Sequence, residues 1–256
     1  MRIRAILTDL DGTLIEPDAT VHRDVPGVLT RLADLHVPVC PVTSKTVAEL
    51  DLVFRDLSLS GPASFENGAG VLLPCGSTIL GSNAVPMADL RRVLVQLKRR
   101  TAVPIRTFRD LSDRQLAAIT GLLQHGVEAA RQRAATMPLL VDPVHDKTLR
   151  AALPADPPVR LIRGNRFLHL QGQHDKGDAV YLLLEALGPG DGATVACGDA
   201  PNDLGLLAAA DVQVIVPSAG GPDPELVACF PNARVAPLPN GRGWAAAITE
   251  LLATPP

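Results

Sequence analysis

The 256 residues set 24 Lys and Arg against 27 Asp and Glu, a net charge of −3 that offers no basic excess to a nucleic acid or an anionic membrane. Aromatic residues are 3% of the chain, too few for a base-stacking platform, while 46% hydrophobic residues are enough for a sizeable core. This length predicts one large domain or a core carrying an insertion.

Ile3, Ala5, Ile6 and Leu7 predict a buried strand of a parallel sheet, which delivers Asp9 and Asp11 to its end, with Gly12 supplying a turn. Asp, Gly and Thr all favour turns, so an Asp-x-Asp-Gly-Thr stretch is open to reading as a plain strand ending. Its position is also where open α/β sheets bind ligands. Val28, Leu29, Leu32 and Leu35 then predict a crossover helix, and 37–42 a second strand. Thr43, Ser44, Lys45 and Thr46 follow, ahead of a helical pattern through Phe54. A hydroxyl and free N–H groups there suit a phosphate oxygen or an ordinary N-cap. Phe65 to Gly70 predicts a turn of positive φ between two short strands, through Asn67 and Gly68.

From about 80 to 170 the pattern changes. Amphipathic helices at 87–97, 112–123 and 127–135 alternate with strand candidates at 104–108, 139–142 and 160–170, which predicts an inserted α+β domain at 81–170. Residues 1–80 and 171–256 then form the α/β core. Lys176 precedes a helix bearing Val180, Leu183, Leu184 and Leu187, close enough to reach the strand ends. The run 193–198 repeats the first signal, delivering Asp199, Asn202 and Asp203 to its end. One more buried strand at 212–216 and a closing helix at 244–252 complete the pattern.

The cysteines Cys40, Cys75, Cys197 and Cys229 contain no CxxC pair and no zinc spacing with histidine, which predicts reduced thiols and a cytoplasmic, soluble protein. Asp9 comes too early for a secretory leader, and no apolar run approaches the ~18 residues of a membrane span.

Four carboxylates at neighbouring strand ends, Asp9, Asp11, Asp199 and Asp203, resist ionisation together unless a cation sits among them. An all-oxygen set favours Mg²⁺ over zinc. One carboxylate can act as nucleophile toward phosphorus and another, two residues on, as general acid and base. Thr43 and Lys176 would hold the phosphoryl oxygens.

Asp9-x-Asp11-Gly-Thr, Thr43 after the second strand, Lys176, and Gly-Asp199-x-x-Asn202-Asp203, in this order, resemble the four motifs of the haloacid dehalogenase superfamily. The resemblance implies a Rossmann-like core with a C2-type cap, Asp9 as nucleophile and Asp11 as acid and base. It also implies Mg²⁺ held by Asp9, the Asp11 backbone carbonyl and Asp199, supported by Asn202 and Asp203. Thr43-Ser44-Lys45-Thr46, Glu66-Asn67-Gly-Ala-Gly, Asp110-Leu, Thr120-Gly-Leu, Arg166-Phe-Leu-His169 and Gly-Asp-Ala-Pro-Asn-Asp at 198–203 further resemble the mannosyl-3-phosphoglycerate phosphatase family. That implies a small phosphorylated substrate, bound with the help of Ser44, Lys45, Asn67, Arg166 and His169, in a monomer or homodimer whose cap moves. Lys45 as a solvated helix charge and His169 as a hydrogen-bonded strand histidine are the plainer alternatives. Where that family is expected to carry Arg-x-aromatic-x-Glu, this chain has Arg133-Ala-Ala-Thr-Met137, and Met137 cannot bond a sugar hydroxyl. A sugar-phosphate phosphatase, a phosphomutase-like phosphotransferase and a silent sugar-phosphate-binding protein are the competing readings.

Overall fold

A computed structural model describes residues 2–164 and 166–253. The chain opens with β1 (Ile3–Thr8), α1 (Val25–Asp34), β2 (Val39–Pro41), α2 (Val47–Leu57), β3 (Ala63–Phe65), β4 (Gly70–Leu72) and β5 (Thr78–Leu80). It continues through α3 (Met87–Thr101), β6 (Arg106–Thr107), α4 (Asp113–Thr120), α5 (Gln124–Arg131), β7 (Thr136–Leu140), α6 (Asp146–Ala151), β8 (Val159–Arg163) and β9 (Leu168–Gly172). It closes with α7 (Lys176–Ala186), β10 (Ala193–Gly198), α8 (Leu204–Ala208), β11 (Val212–Ile215), α9 (Pro224–Cys229), β12 (Arg234–Val235) and α10 (Asn240–Ala253).

Five strands form a parallel sheet in the order β12-β11-β10-β1-β2. Its strands are apolar on both faces, because helices cover both. Ile6, Val195 and Val214 point to the side of α1, α2 and α10, where Leu29, Leu50, Trp244 and Ile248 pack. Leu7, Cys40, Ala196 and Ile215 point to the other side, against Val180 and Leu183 of α7 and Leu206 of α8. Burial pushes the Cys40 thiol up to about 12, so it serves as a small core residue. Because every strand is parallel, all of them end at the same edge, which brings the loops after β1, β2 and β10 together.

The strands β6-β7-β9-β8 form a separate antiparallel sheet, all of it between β5 and β10 in the chain; this unit is the insert. One face of its sheet carries Met137, Leu139, Leu161, Leu168 and Leu170, packed on Leu90, Val93 and Leu97 of α3. The register pairs Thr136 with Gln171 and Pro138 with His169, so these four share the opposite face.

The insert departs from expectation in several places. The apolar run 160–170 is not one strand but the hairpin β8–β9. The helix expected over 112–123 stops at Thr120, because Gly121 adopts a left-handed φ of 76°. The helix expected at 127–135 lies at Gln124–Arg131, because the N–H groups of Ala134, Ala135 and Thr136 are bonded elsewhere. Only Arg106–Thr107 of the expected strand 104–108 pairs with β7, and α6 was not foreseen. No helix among the described residues is long and apolar enough to cross a membrane.

Candidate active site

Asp9 lies one residue past β1, its backbone N–H donating to the Cys197 carbonyl of β10 at 2.9 Å. The loop turns at Gly12 with φ 93°, and a Cβ there would lie 2.6 Å from the Asp199 carboxylate, so glycine is required for the two strand ends to meet. Thr13 donates its hydroxyl to Asp199 Oδ1 at 2.7 Å. Oxygen atoms of Asp9, Asp199 and Asp203 fall within 4.8 Å of one another.

Lys176, the first residue of α7, is buried and donates from Nζ to Asp9 Oδ1 and to Asp203 Oδ1, each at 2.6 Å. Its helix entry is fixed by Asp175, which caps the N–H groups of Gly177 and Asp178. A Cβ on Gly68 would overlap the Asp175 carbonyl at 1.8 Å, so that glycine lets the turn after β3 close onto this helix start. Burial disfavours charge on Asp9 and its neighbours Asp203 and Asp199 add to this; Lys176 opposes them, and the carboxyl remains well above its ordinary value. Burial works against the Lys176 charge too, but Asp203 and Asp9 hold it protonated.

Lys45 bonds both oxygens of Asp11, at 2.8 and 2.7 Å. Burial opposes the Asp11 charge, yet Lys45 outweighs it and holds the carboxyl below its usual range. Above these groups is a cleft of about 590 Å³, whose floor includes Asp9, Asp11, Asp199 and Asn202 and whose opposite wall includes Phe108, Arg133, Arg166 and His169 of the insert.

The model of the haloacid dehalogenase-like hydrolases matches residues 6–114 of the chain. A glucosyl-3-phosphoglycerate/mannosyl-3-phosphoglycerate phosphatase of Persephonella marina is 27% identical over 263 residues, covering 96% of both chains. A protein of the same name from Methanococcoides burtonii is 28% identical over 264 residues, with the same coverage. Among solved structures, a haloacid dehalogenase-like hydrolase from Bacteroides thetaiotaomicron matches with a TM-score of 0.75 at 19% identity, over 98% of this chain and all of that one. The chain is a phosphatase similar to the haloacid dehalogenase-like hydrolases. Its fold, a parallel core with an insertion between β5 and β10, is shared with that Bacteroides structure.

In this phosphatase the four expected core groups, Asp9, Asp11, Lys176 and Asp199, converge as their spacing implied. Thr43 is fully buried, and its hydroxyl accepts the Lys45 backbone N–H at 3.2 Å, which leaves its proton for another acceptor. The N-cap of α2 is neither Thr43 nor Ser44 but Thr46, in a reciprocal box with Glu49. Asp203 stands in the carboxylate group with both oxygens engaged, one by Lys176 and the other by the N–H groups of Asp199 and Ala200. It shapes the loop after β10 rather than offering a free oxygen to an ion.

The expected substrate-binding residues divide. Ser44, Lys45, Arg166 and His169 line the cleft. Lys45 is an ion-pair partner there rather than a solvated helix charge, and Arg166 donates to the carbonyls of Thr120, at 2.5 Å, and Pro17, joining insert to core. His169 is buried, and burial, with Arg133, Lys176 and Arg163, lowers it to about 3, so it is neutral; its Nδ1 has no partner among the described residues. Asn67 does not line the cleft. Its amide donates to Gln171 Oε1 at 3.1 Å, at the joint with the insert.

Met137 is also away from the cleft, because it alternates with Thr136 along β7 and so faces the apolar core of the insert. Its inability to bond a sugar therefore carries no weight for the site. Sequence reasoning missed Arg133 as a cleft residue. Its side chain is 8% exposed, donates to the Ser44 carbonyl at 3.0 Å and Thr136 Oγ1 at 2.8 Å, and lies 5.6 Å over the Phe108 ring. It also missed Glu66, which accepts from the N–H groups of Ala134, Ala135 and Thr136 and from the Thr136 hydroxyl, at 2.7–3.0 Å. Glu66 sits at φ 49° between β3 and β4, so the quoted Glu-Asn-Gly turn was the signal; its partner lay 68 residues on and was invisible. The glycine loop after β11, with Gly220 and Gly221 in the cleft, repeats the signal of polar residues after a buried strand.

Proposed function

We propose that the protein is a Mg²⁺-dependent phosphomonoester hydrolase that acts through a phosphoryl group carried on Asp9, with a glycosyl-3-phosphoglycerate, mannosyl or glucosyl, as substrate and the glycosylglycerate as product. The observation that carries this reading is Asp9 held by Lys176, which also binds Asp203, at the floor of a cleft that Asp11 and Asp199 also line. Relatives of that activity, aligned over 96% of the chain, support the substrate. In this reading 1–80 and 171–256 are the catalytic core and 81–170 the cap.

Asp9, Asp11, Asp199 and Asp203 face two ammonium groups, Lys45 and Lys176, so an all-oxygen set with excess negative charge fits a hard divalent cation. Asp9, Asp199 and the Asp11 carbonyl would hold it, with Asn202 beside them. Bound Mg²⁺ supplies neutralisation of phosphate charge during the displacement.

The Asp9 oxygen not bound by Lys176 attacks phosphorus; the bond to the glycerate oxygen breaks, and Asp11 gives that oxygen a proton. Water then attacks the phosphoryl group while Asp11 takes its proton, the bond to Asp9 breaks, and inorganic phosphate leaves. At rest Asp11 is a carboxylate paired with Lys45, so it takes up a proton from water as the arriving anion draws on Lys45, and only then serves as the acid; the second step returns it protonated. The Thr43 hydroxyl and Lys176 donate to the phosphoryl oxygens and stabilise their charge.

The test is phosphate release, with Mg²⁺ and with a chelator, from mannosyl- and glucosyl-3-phosphoglycerate beside simple sugar phosphates. The reading expects chelator-sensitive release with a strong preference for the glycosyl phosphoglycerates. Comparable rates across the panel would favour a second reading, a sugar-phosphate phosphatase of broader range or a phosphomutase-like phosphotransferase. That reading has one observation behind it: Lys45 and Arg166 are engaged within the protein, which leaves less positive charge for a glycerate carboxylate. Release of phosphate, rather than its transfer to another hydroxyl, separates the phosphatase from the transferase.

A further inference from the structure

The insert contains a second cavity, of about 390 Å³, on the other side of Arg133 from the cleft. Its apolar surface comes from Met87, Leu94 and Met137, and its charged surface from arginines: Arg91, Arg109, Arg131 and Arg133 line it, and no Asp or Glu does. Arg131 is committed to the Phe108 and Leu111 carbonyls and to Asp113. Arg91 and Arg109 have no hydrogen bond or ion pair among the described residues. Arg133 is more than nine-tenths buried, and its Nε has no partner there either. The unpaired Arg91 and Arg109 beside a cavity of ligand size point to an anionic acceptor that arrives from outside, and the unmet Nε of Arg133, which lines the same cavity, adds to this.

We propose that this cavity binds a small organic anion, one carboxylate, sulfonate or phosphate group on an apolar body, with Arg91 and Arg109 taking the charge and Met87, Leu94 and Met137 the body. Arg gives planar, bidentate donors for such a group, and Arg91 and Arg109 carry no carboxylate partner among the described residues, so their charge is open to an anion. The volume lies within the range of small-molecule sites. Arg133, Phe108 and Ala130 line both this cavity and the catalytic cleft, so an occupant that draws on Arg133 changes the wall that substrate meets. The coupling is reciprocal: whatever the occupant does to substrate affinity, substrate does to the occupant's.

The experiment is a fluorescence titration of the full chain with 8-anilinonaphthalene-1-sulfonate, an apolar body bearing one sulfonate. The wild type is compared with the Arg91→Glu/Arg109→Glu double variant and with Arg166→Ala, which alters the cleft and the insert's contact with the core but does not line this cavity. Circular dichroism confirms that each variant is folded, and Leu94→Trp, which fills the cavity without changing its charge, provides a second variant. The expected result is one site per chain, weakened at least tenfold by Arg91→Glu/Arg109→Glu and by Leu94→Trp and unchanged by Arg166→Ala. Binding that survives both cavity variants, or that is lost with Arg166→Ala, would overturn the proposal. Because the readout is binding, the result does not depend on which phosphoester the enzyme hydrolyses.

Discussion

The floor of the cleft and its wall treat charge in opposite ways. On the floor, charged side chains find partners a short distance away: Lys176 with Asp9 and Asp203, Lys45 with Asp11, Asp199 with Thr13. On the wall, His169 is neutral with Nδ1 unmet, and Arg133 keeps an unmet Nε although Nη1 is hydrogen-bonded and Nη2 pairs with Glu49 at 3.8 Å. The floor is preorganised for one reaction, and leaves little conformational freedom to be lost when substrate binds. The wall holds donor and acceptor capacity in reserve, which suits recognition that differs between substrates. In the proposed reading, chemistry and specificity are carried by different parts of the chain, joined at Glu66.

The comparison breaks most readily at Lys176. Lys176→Ala leaves Asp9 and Asp203 buried without a counter-charge, and is expected to cost about 3–5 kcal/mol in stability along with nearly all activity. Chemical denaturation gives the first quantity and phosphate release the second. A variant as stable as the wild type would mean that the floor is not a coupled charge network. The joint comes next. Glu66→Ala removes an acceptor from three backbone N–H groups and a hydroxyl, and is expected to destabilise the fold by about 3 kcal/mol. Proteolysis across 132–136 should rise in parallel; if neither stability nor protection changes, the clasp is not what holds insert to core.

On the wall, the expected effect depends on pH and is absent near neutrality. Burial first, then Arg133, Lys176 and Arg163, bring His169 to about 3, against 6.5 in an unfolded chain. The unfolded state therefore binds a proton that the fold refuses: the stability tied to neutral His169 is complete above pH 6.5 and is lost as pH falls toward 3, by up to about 1.4 kcal/mol per pH unit. His169→Gln should flatten the acid arm of the stability profile, measured by urea unfolding between pH 7 and 4. Parallel profiles for the two proteins would place the acid sensitivity elsewhere.

What the sequence made legible follows the same division. β1 and β10 are runs that end in carboxylates, and parallel strands must end at one edge, so Asp9, Asp11 and Asp199 could be brought together from pattern alone. Lys176 was readable because a lysine just ahead of a helix can reach back to the strand ends. The wall was harder to read, because its residues depend on pairing between distant segments. Thr136 faces the joint and Met137 the apolar core only because of where β7 falls on β9, a register that the insert's short strands do not declare. The same obscurity hid the turn at Gly164, which splits 160–170 into a hairpin. Asn67 was assigned to substrate because it sits in a quoted motif, whereas the fold spends it on Gln171.

The central claim is that the phosphoryl group passes through Asp9. The direct measurement is the mass of the peptide carrying β1 and Asp9 after acid quench during turnover of a phosphomonoester with Mg²⁺, in the wild type and in Asp11→Asn, where loss of the base should slow release of the adduct. The account predicts a phosphoryl adduct on Asp9 that accumulates in Asp11→Asn and is absent from Asp9→Asn, which is inactive. Turnover without any adduct on Asp9, or activity retained in Asp9→Asn, would contradict it.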